Sequence, residues 1–527
     1  MNEVLIYDTT LRDGTQGENI SFTAEEKIKI AKKLDDLGIH YIEGGWPISN
    51  IRDKLFFQLA KDIEFKNAKI TAFCSTRKPN INVEDDKNIA ASIESGAEAV
   101  AIFGKTWDLH VKEIMNNSLE ENLNMINDSV SFLKSHGKEV IYDAEHFFDG
   151  YKDNREYALE TIMTALSAGS DYVVFCDTNG GTLPNEVEAI VKEILEDLEQ
   201  RDFNPKIGIH AHNDCSLAVA NSIAAVRSGA IMVHGTINGY GERCGNADLT
   251  SVIPVLSLKM NLNCISKENL AKLRKVSRFV SETANMVPQN NRPFVGKSAF
   301  AHKGGIHVSA VMKQPRAYEH MNPELVGNDR RILVSDLAGK SNILYKAKEL
   351  GIDITGNGFE SGAIVSQIKM LEQDGYQFDI ADGSLKILME KMTGNFTPAF
   401  ELVSFRVNIE KDKDFECYSH ATIKVRVGNE VEITAAEGHG PVSALDNALR
   451  KALVKFYTKA LDSTHLVDFK VRVMDGRDGT SAKVRVLIDS RDEDRTWSTI
   501  GVSEDIIEAS WQALADSIQY KLSIDKK

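Results

Sequence analysis

The chain has 527 residues, more than one hydrophobic core can serve, so about two to four domains are expected. An apolar share of 42% and a charged share of 26% are ordinary for a globular protein, and a net charge of −15 repels polyphosphate. Nucleic acid and anionic membrane are thereby excluded as expected partners.

No apolar run reaches the roughly 18 residues of a membrane span, and MNEVLIYDTT has no basic-then-apolar leader but enters directly into a first strand. The six cysteines (Cys74, Cys176, Cys215, Cys244, Cys264 and Cys417) form no CxxC pair and suit free thiols in a reducing cytoplasm. Up to about residue 260 one unit recurs eight times: a short apolar strand, a polar turn, an amphipathic helix. The strands fall near 4–8, 41–45, 68–74, 99–104, 139–145, 172–177, 206–211 and 231–237. The helical stretches between them repeat apolar residues at i, i+3, i+4 and i+7, and several close on glycine, such as Gly38 and Gly137. Alternating strands and helices imply a parallel sheet covered by helices, and eight units fit a closed (β/α)8 TIM barrel. An open doubly wound sheet is the alternative, but GxGxxG is missing after the first strand.

The polar clusters gather at one end of this barrel. LRDGTQ follows the first strand, EGGWP the second, FGKTWD the fourth, DAEHFFDG the fifth, CDTNGG the sixth, HAHND the seventh and NGYGERCGN the eighth. Active sites of such barrels lie at the C-terminal ends of the strands, so this clustering points to an enzyme. Residues 280–330, rich in Pro, Gly and His, read as an irregular segment, and 335–390 as a small helical subdomain. After about 400 a pattern of strands and then a helix occurs twice, with Gly440 and Gly501 ahead of the two helices. The expected domains are a catalytic barrel over 1–275, linker subdomains over 276–395 and a C-terminal α+β pseudo-twofold domain over 396–527. That last domain suits either the binding of a small effector or the cementing of an oligomer.

His210 and His212 stand at i and i+2, so on a strand both imidazoles face the barrel mouth. An HxH pair alone is as compatible with hydrogen-bonded structural histidines. With a carboxylate, here Asp13, it makes a site for Zn²⁺, Mn²⁺, Fe²⁺ or Co²⁺, and further oxygens such as that of Asn246 shift it toward Mn²⁺ or Mg²⁺.

LRDGTQ, HAHND, NGYGERCGNADL and FAHKGGIHVSA occur in that order, and over essentially its whole length the chain resembles the metal-dependent Claisen-condensing barrels. These are the 2-isopropylmalate, homocitrate and citramalate synthases, relatives of hydroxymethylglutaryl-CoA lyase. EGGWP, where strand two more usually ends in a GFP-type sequence, and DAEHFFDG resemble the citramalate synthase subgroup. The resemblance implies Asp13, His210 and His212 as metal ligands, with Asn246 in or near the coordination shell. It implies Arg12 as the group that polarises the keto oxygen, Glu43 as its ion-pair partner, and Thr178 as the residue fixing the keto-acid carboxylate. Glu145 is implied in proton transfer, with Asp143 on the same strand face and His146 structural. Gln16 is a candidate coenzyme contact. In the linker, His307 and Tyr318 match a catalytic His and Tyr that relatives bring to the neighbouring subunit's barrel, which implies a homodimer; His302 is the competing base.

The implied reaction joins acetyl-CoA to pyruvate and hydrolyses the thioester, giving citramalate for isoleucine synthesis, with isoleucine the effector of the C-terminal domain. Synthesis of 2-isopropylmalate from 2-ketoisovalerate, and homocitrate synthesis, differ only in the pocket around the keto-acid side chain. Trp46 and Trp107, near strand ends, hint at a small pocket. A retro-Claisen lyase is disfavoured because GERCGN stands in place of the lyase cysteine loop and lyases lack the duplicated tail.

Overall fold

The computed structural model describes residues 3–353, 361–411, 413, 417–474 and 481–525. Two compact units are present, one of residues 1–300 with 321–329 and the other of 301–320 with 330–527. In the first, eight parallel strands close into a barrel. They are β1 (Leu5–Asp8), β2 (Tyr41–Gly45), β3 (Lys69–Ser75), β4 (Ala99–Lys105), β5 (Glu139–Glu145), β6 (Tyr172–Asp177), β7 (Ile207–Ala211) and β8 (Met232–Gly235). Closure is made by β1 against β8, in the register Tyr7 to His234. The TIM barrel read from the sequence is the observed fold, with strand ends displaced by a residue or two. β8 stops early because the Thr236 N–H donates to the Ala247 carbonyl and the chain then turns through Ile237–Gly239.

Strand alternation divides the barrel residues between two cores. Ile6, Ile42, Val100, Val140, Val173, Ile209 and Val233 face outward into the helix layer. Tyr7, Tyr41, Ala101, Ile141, Tyr172, Val174 and Met232 pack inward and fill the lumen. The first helix, α1 (Ala24–Leu37), shows how the outer layer is specified. Thr23 caps it by accepting from the Glu26 N–H while Glu26 accepts from the Thr23 N–H. Ile30, Leu34 and Leu37 are fully buried on its inner face, each contributing about 1.5–3 kcal/mol. Gly38 then ends the helix at φ +91°, a left-handed conformation that favours glycine. Because every strand runs the same way, the turns after β1 to β8 converge on one mouth.

The second unit holds helices Gly305–Lys313, Lys340–Glu349, Ser361–Gln373 and Asp382–Met392; Ile343, Ile364, Ile368, Phe378, Leu385 and Met389 belong to one core there. Two copies of a three-stranded antiparallel sheet with a following helix complete it. The first copy is Glu401–Glu410, Tyr418–Val427, Glu430–Gly438 and helix Pro441–Asp462. The second is His465–Val473, Val484–Arg491, Thr496–Ser503 and helix Ile506–Asp525. The duplication read from the sequence is present, and Gly440 and Gly501 do stand ahead of the two helices, though in different settings. Gly440 is a helix cap with open space around it, whereas a Cβ on Gly501 would meet the Ala509 carbonyl oxygen at 2.0 Å. The counterpart of Gly501 is Gly438, where a Cβ would meet the Ala444 nitrogen at 2.3 Å; Ala444 and Ala509 are both fourth residues of their helices. Gly501→Ala is therefore expected to lower stability by about 1–3 kcal/mol through overpacking, and Gly440→Ser to change it by less than about 0.5 kcal/mol, as read by urea unfolding.

Candidate active site

A single buried carboxylate fixes the guanidinium at the mouth. Glu43, fully buried on β2, accepts from the Tyr7 hydroxyl at 2.7 Å, from the Thr9 hydroxyl, and from Arg12 Nε at 2.6 Å. Arg12 also donates to Asp13 Oδ2 at 3.1 Å and lays its guanidinium over the Phe73 ring, 3.8 Å from the centroid. Burial disfavours the charge on Arg12, but Glu43 and Asp13 outweigh it and hold the group protonated. The turn carrying the pair is built locally, since the Asp13 and Gly14 N–H groups both donate back to Thr9.

Asp13 also faces the two histidines of β7 and its end. His210 Nε2 lies 3.4 Å and His212 Nε2 3.8 Å from Asp13 Oδ2, and all three side chains are buried. Tetrahedral ligand bonds of about 2.1 Å put donor atoms roughly 3.4 Å apart, so this set fits a divalent ion. The protonation states of Asp13 and His212 agree with that use. Burial pushes the Asp13 carboxyl up, but Arg12 and His210 override it and hold it well below the usual carboxylate range. Burial and then His210 push His212 down to about 4, so its imidazole is neutral with a lone pair free at pH 7. His210 moves the other way, its burial outweighed by its hydrogen bond and charge interaction with Asp13. Asn246 comes next to this cluster through a bridge between its backbone and that of His212. Its amide nitrogen donates to Asp13 Oδ1 at 2.9 Å, and its buried oxygen has no partner among the described residues.

The cavity above these groups has a volume of about 200 Å³. Arg12, Asp13, Gln16, Glu145, Thr178, His210 and His212 line it, whereas Glu43 stands behind Arg12 and Asn246 beside Asp13. Its apolar wall is an aromatic cluster: Phe73 and Phe103 stack at 5.2 Å, and Trp46 meets both edge-on. Of the two tryptophans singled out in the sequence, Trp46 lines the pocket and Trp107 does not; the Trp107 indole donates to Asp153 and stacks on His110. Glu145 is ion-paired with Lys105, the last residue of β4, which the sequence reading passed over. Asp143 also lines the pocket, pushed up to about 7 by burial. His146 adopts a left-handed backbone, φ +56°, and donates its N–H to the Thr178 hydroxyl oxygen at 2.9 Å. That leaves the Thr178 proton free to donate elsewhere. Arg243 holds the neighbouring loop by a two-pronged pair with Asp214 and a bond to the Thr178 carbonyl.

His307 and Tyr318 belong to the second compact unit, where their rings stack at 4.3 Å. His302 is engaged otherwise: its Nε2 lies 3.1 Å from Glu319 Oε1, and Arg330 makes two bonds to the same carboxylate. Phe73, Phe103 and Lys105 escaped the sequence reading, although strand alternation from the predicted β3 and β4 would have aimed them at the mouth.

Residues 3–280 match the family described as HMGL-like, 294–375 the homocitrate synthase post-HMGL domain-like family, and 379–522 the LeuA allosteric (dimerisation) domain. The chain is 55% identical to an (R)-citramalate synthase of Aquifex aeolicus, covering 100% of this chain and 99% of that protein. It is 52% identical to an (R)-citramalate synthase of Geobacter sulfurreducens, covering 99% and 98%. It is 33% identical to a 2-isopropylmalate synthase of Methanocaldococcus jannaschii, covering 100% and 96%.

Two substitutions separate the roles at this site. His212→Ala should weaken Mn²⁺ binding, followed by calorimetry, by more than the about 10- to 100-fold that loss of an outer partner costs. Glu43→Ala should instead destabilise the barrel by about 3–5 kcal/mol in urea unfolding, because it strands a buried guanidinium.

Proposed function

The chain belongs to the HMGL-like family, and on that premise we propose that it is an acyltransferase condensing acetyl-CoA with pyruvate to give citramalate and CoA. The observation that carries this reading is the convergence of Asp13, His210 and His212 with the Arg12 guanidinium on one small pocket. A divalent ion held by Asp13, His210 and His212 would supply Lewis-acid polarisation of the keto group.

The protein groups account for the rest. A base removes a proton from the acetyl methyl carbon, and the freed pair attacks the keto carbon of pyruvate. The new C–C bond forms as the carbonyl π pair moves onto oxygen, beside Arg12. Glu43 and the Phe73 face fix that guanidinium beforehand, so no reorganisation is needed when charge develops. Protonation gives the hydroxyl of citramalyl-CoA. Water then adds to the thioester carbonyl, the C–S bond breaks, and CoA leaves as the thiol. Glu145, on the pocket wall beside Lys105, serves the proton transfers, and Thr178 donates to the keto-acid carboxylate. His307 is the base in this reading, because an imidazole can take up and return a proton and His302 is already committed to Glu319. Gln16 meets the coenzyme from the pocket rim, and Asn246 orients Asp13.

Pyruvate is favoured over 2-ketoisovalerate in this reading because Trp46, Phe73 and Phe103 line the small pocket and leave less room for a branched side chain. The relative named 2-isopropylmalate synthase keeps 2-ketoisovalerate as the second reading. The match of 379–522 to a LeuA allosteric (dimerisation) domain supports a homodimer, and the family resemblance has the His307 segment serve the neighbouring subunit. We further propose a cytoplasmic enzyme of isoleucine synthesis, with isoleucine as the effector of the C-terminal domain. No helix of the described residues is long and apolar enough to cross a membrane.

Incubation with Mn²⁺, acetyl-CoA and a panel of 2-keto acids should release thiol fastest with pyruvate; release with none would end the synthase reading. Phe103→Ala should shift the preference toward 2-ketoisovalerate by about 10- to 200-fold, the scale set by added methylene groups. His307→Ala should abolish thiol release while pyruvate binding, read by calorimetry, persists; loss with His302→Ala alone would reverse the assignment of the base.

A further inference from the structure

We infer that His234 is a positioning residue, which holds the ligand histidine His210 in the tautomer that presents Nε2 to Asp13. The inference rests on the metal reading of the Asp13, His210 and His212 cluster. Sheet register supplies the geometry: Tyr7, His234 and His210 are direct partners across β1, β8 and β7, so their side chains stand in one row inside the barrel. His234 Nδ1 lies 3.4 Å from His210 Nδ1, on the side of the His210 ring opposite Asp13. A ligand nitrogen must carry a lone pair, so with Nε2 given to an ion, His210 Nδ1 holds the proton and donates it. His234 Nδ1 is then the acceptor, which leaves the His234 proton on Nε2, 3.4 Å from the Met232 sulfur. Ligand histidines fix their tautomer by donating the second ring N–H to an outer partner, commonly a carboxylate or carbonyl. Here the partner is a second imidazole.

Three further observations fit that role. The His234 ring stacks flat on Tyr7, 3.8 Å between centroids at 12°, which sets its plane. It is 1% exposed, so water does not compete with His210 for its Nδ1. The buried carboxylate of Asp143 is 3.9 Å from His234 Nδ1, beyond hydrogen-bond reach, so it does not hold a proton on that nitrogen. Through Tyr7 the same ring touches the Glu43–Arg12 pair, so one stack braces both halves of the site.

The test uses the full chain stripped of metal and titrated with Mn²⁺, bound and free ion being read by electron paramagnetic resonance. His234→Phe keeps a ring on Tyr7 but removes the acceptor, and should weaken Mn²⁺ binding about 10- to 100-fold with one ion still bound per chain. His234→Asn, which restores an acceptor oxygen near the Nδ1 position, should recover most of that loss. Wild-type affinity in His234→Phe overturns the inference, as does a second bound ion that only His234 variants lose, which would make His234 a ligand. If His212→Ala also binds as wild type, the metal reading itself has failed. Should His234→Phe not fold, ¹⁵N spectra of the Zn²⁺-loaded wild-type protein decide. His210 with Nδ1 protonated and Nε2 metal-bound supports the inference, and the reverse arrangement overturns it.

Discussion

A carboxylate with no exposure to water, Glu43, carries the architecture of this site. Stranding a charge in the interior costs several kcal/mol, so Glu43 is tolerated only because three donors close around it, one of them Arg12. The arrangement works in both directions. Glu43 needs Arg12 for its own solvation, and Arg12, so held, spans the gap to Asp13 and lies on Phe73. Asp13 in turn is kept ionised by that guanidinium, and the oxygen that meets Arg12, Oδ2, is also the one that faces His210 and His212. The guanidinium proposed to answer growing negative charge and the residues proposed to hold a cation are thus one connected electrostatic unit.

The lumen beneath explains why this unit can be so deeply placed. Tyr7, Tyr41, Tyr172 and Met232 plug the barrel, so the mouth has a floor of side chains and not a water column. In that dry setting each hydrogen bond to Glu43 or Asp13 is stronger than it would be in water, and each missing partner is costlier. The aromatic wall does the same from above, with Trp46, Phe73 and Phe103 removing space as well as water.

What the sequence made legible was whatever repeats or stands close along the chain. Eight strands and their helices were readable from periodicity, and RDG and HxH from spacing, because a strand end aims such residues at one point. The misses share a cause. Alternation could aim Phe103 and Lys105 at the mouth, but their partners, like that of His234, stand on neighbouring strands, and inter-strand register is not written in any one segment. Trp107 errs in the opposite sense: it lies two residues past the end of β4 and turns toward Asp153 and His110, not into the pocket. The glycines of the tail behave likewise. Gly440 sits at the equivalent place in the text of the sequence, but Gly438 is the one pressed against its helix.

That pressed contact governs how the tail can move. With no atom's width to spare at Gly438 and Gly501, neither helix can slide along its own sheet, and each sheet-and-helix copy is a stiff block. The two copies are joined where Trp511 and Ile518 of the second helix enter the apolar cluster of the first. Bulk added at either glycine would have to be met by lifting a whole helix off its sheet.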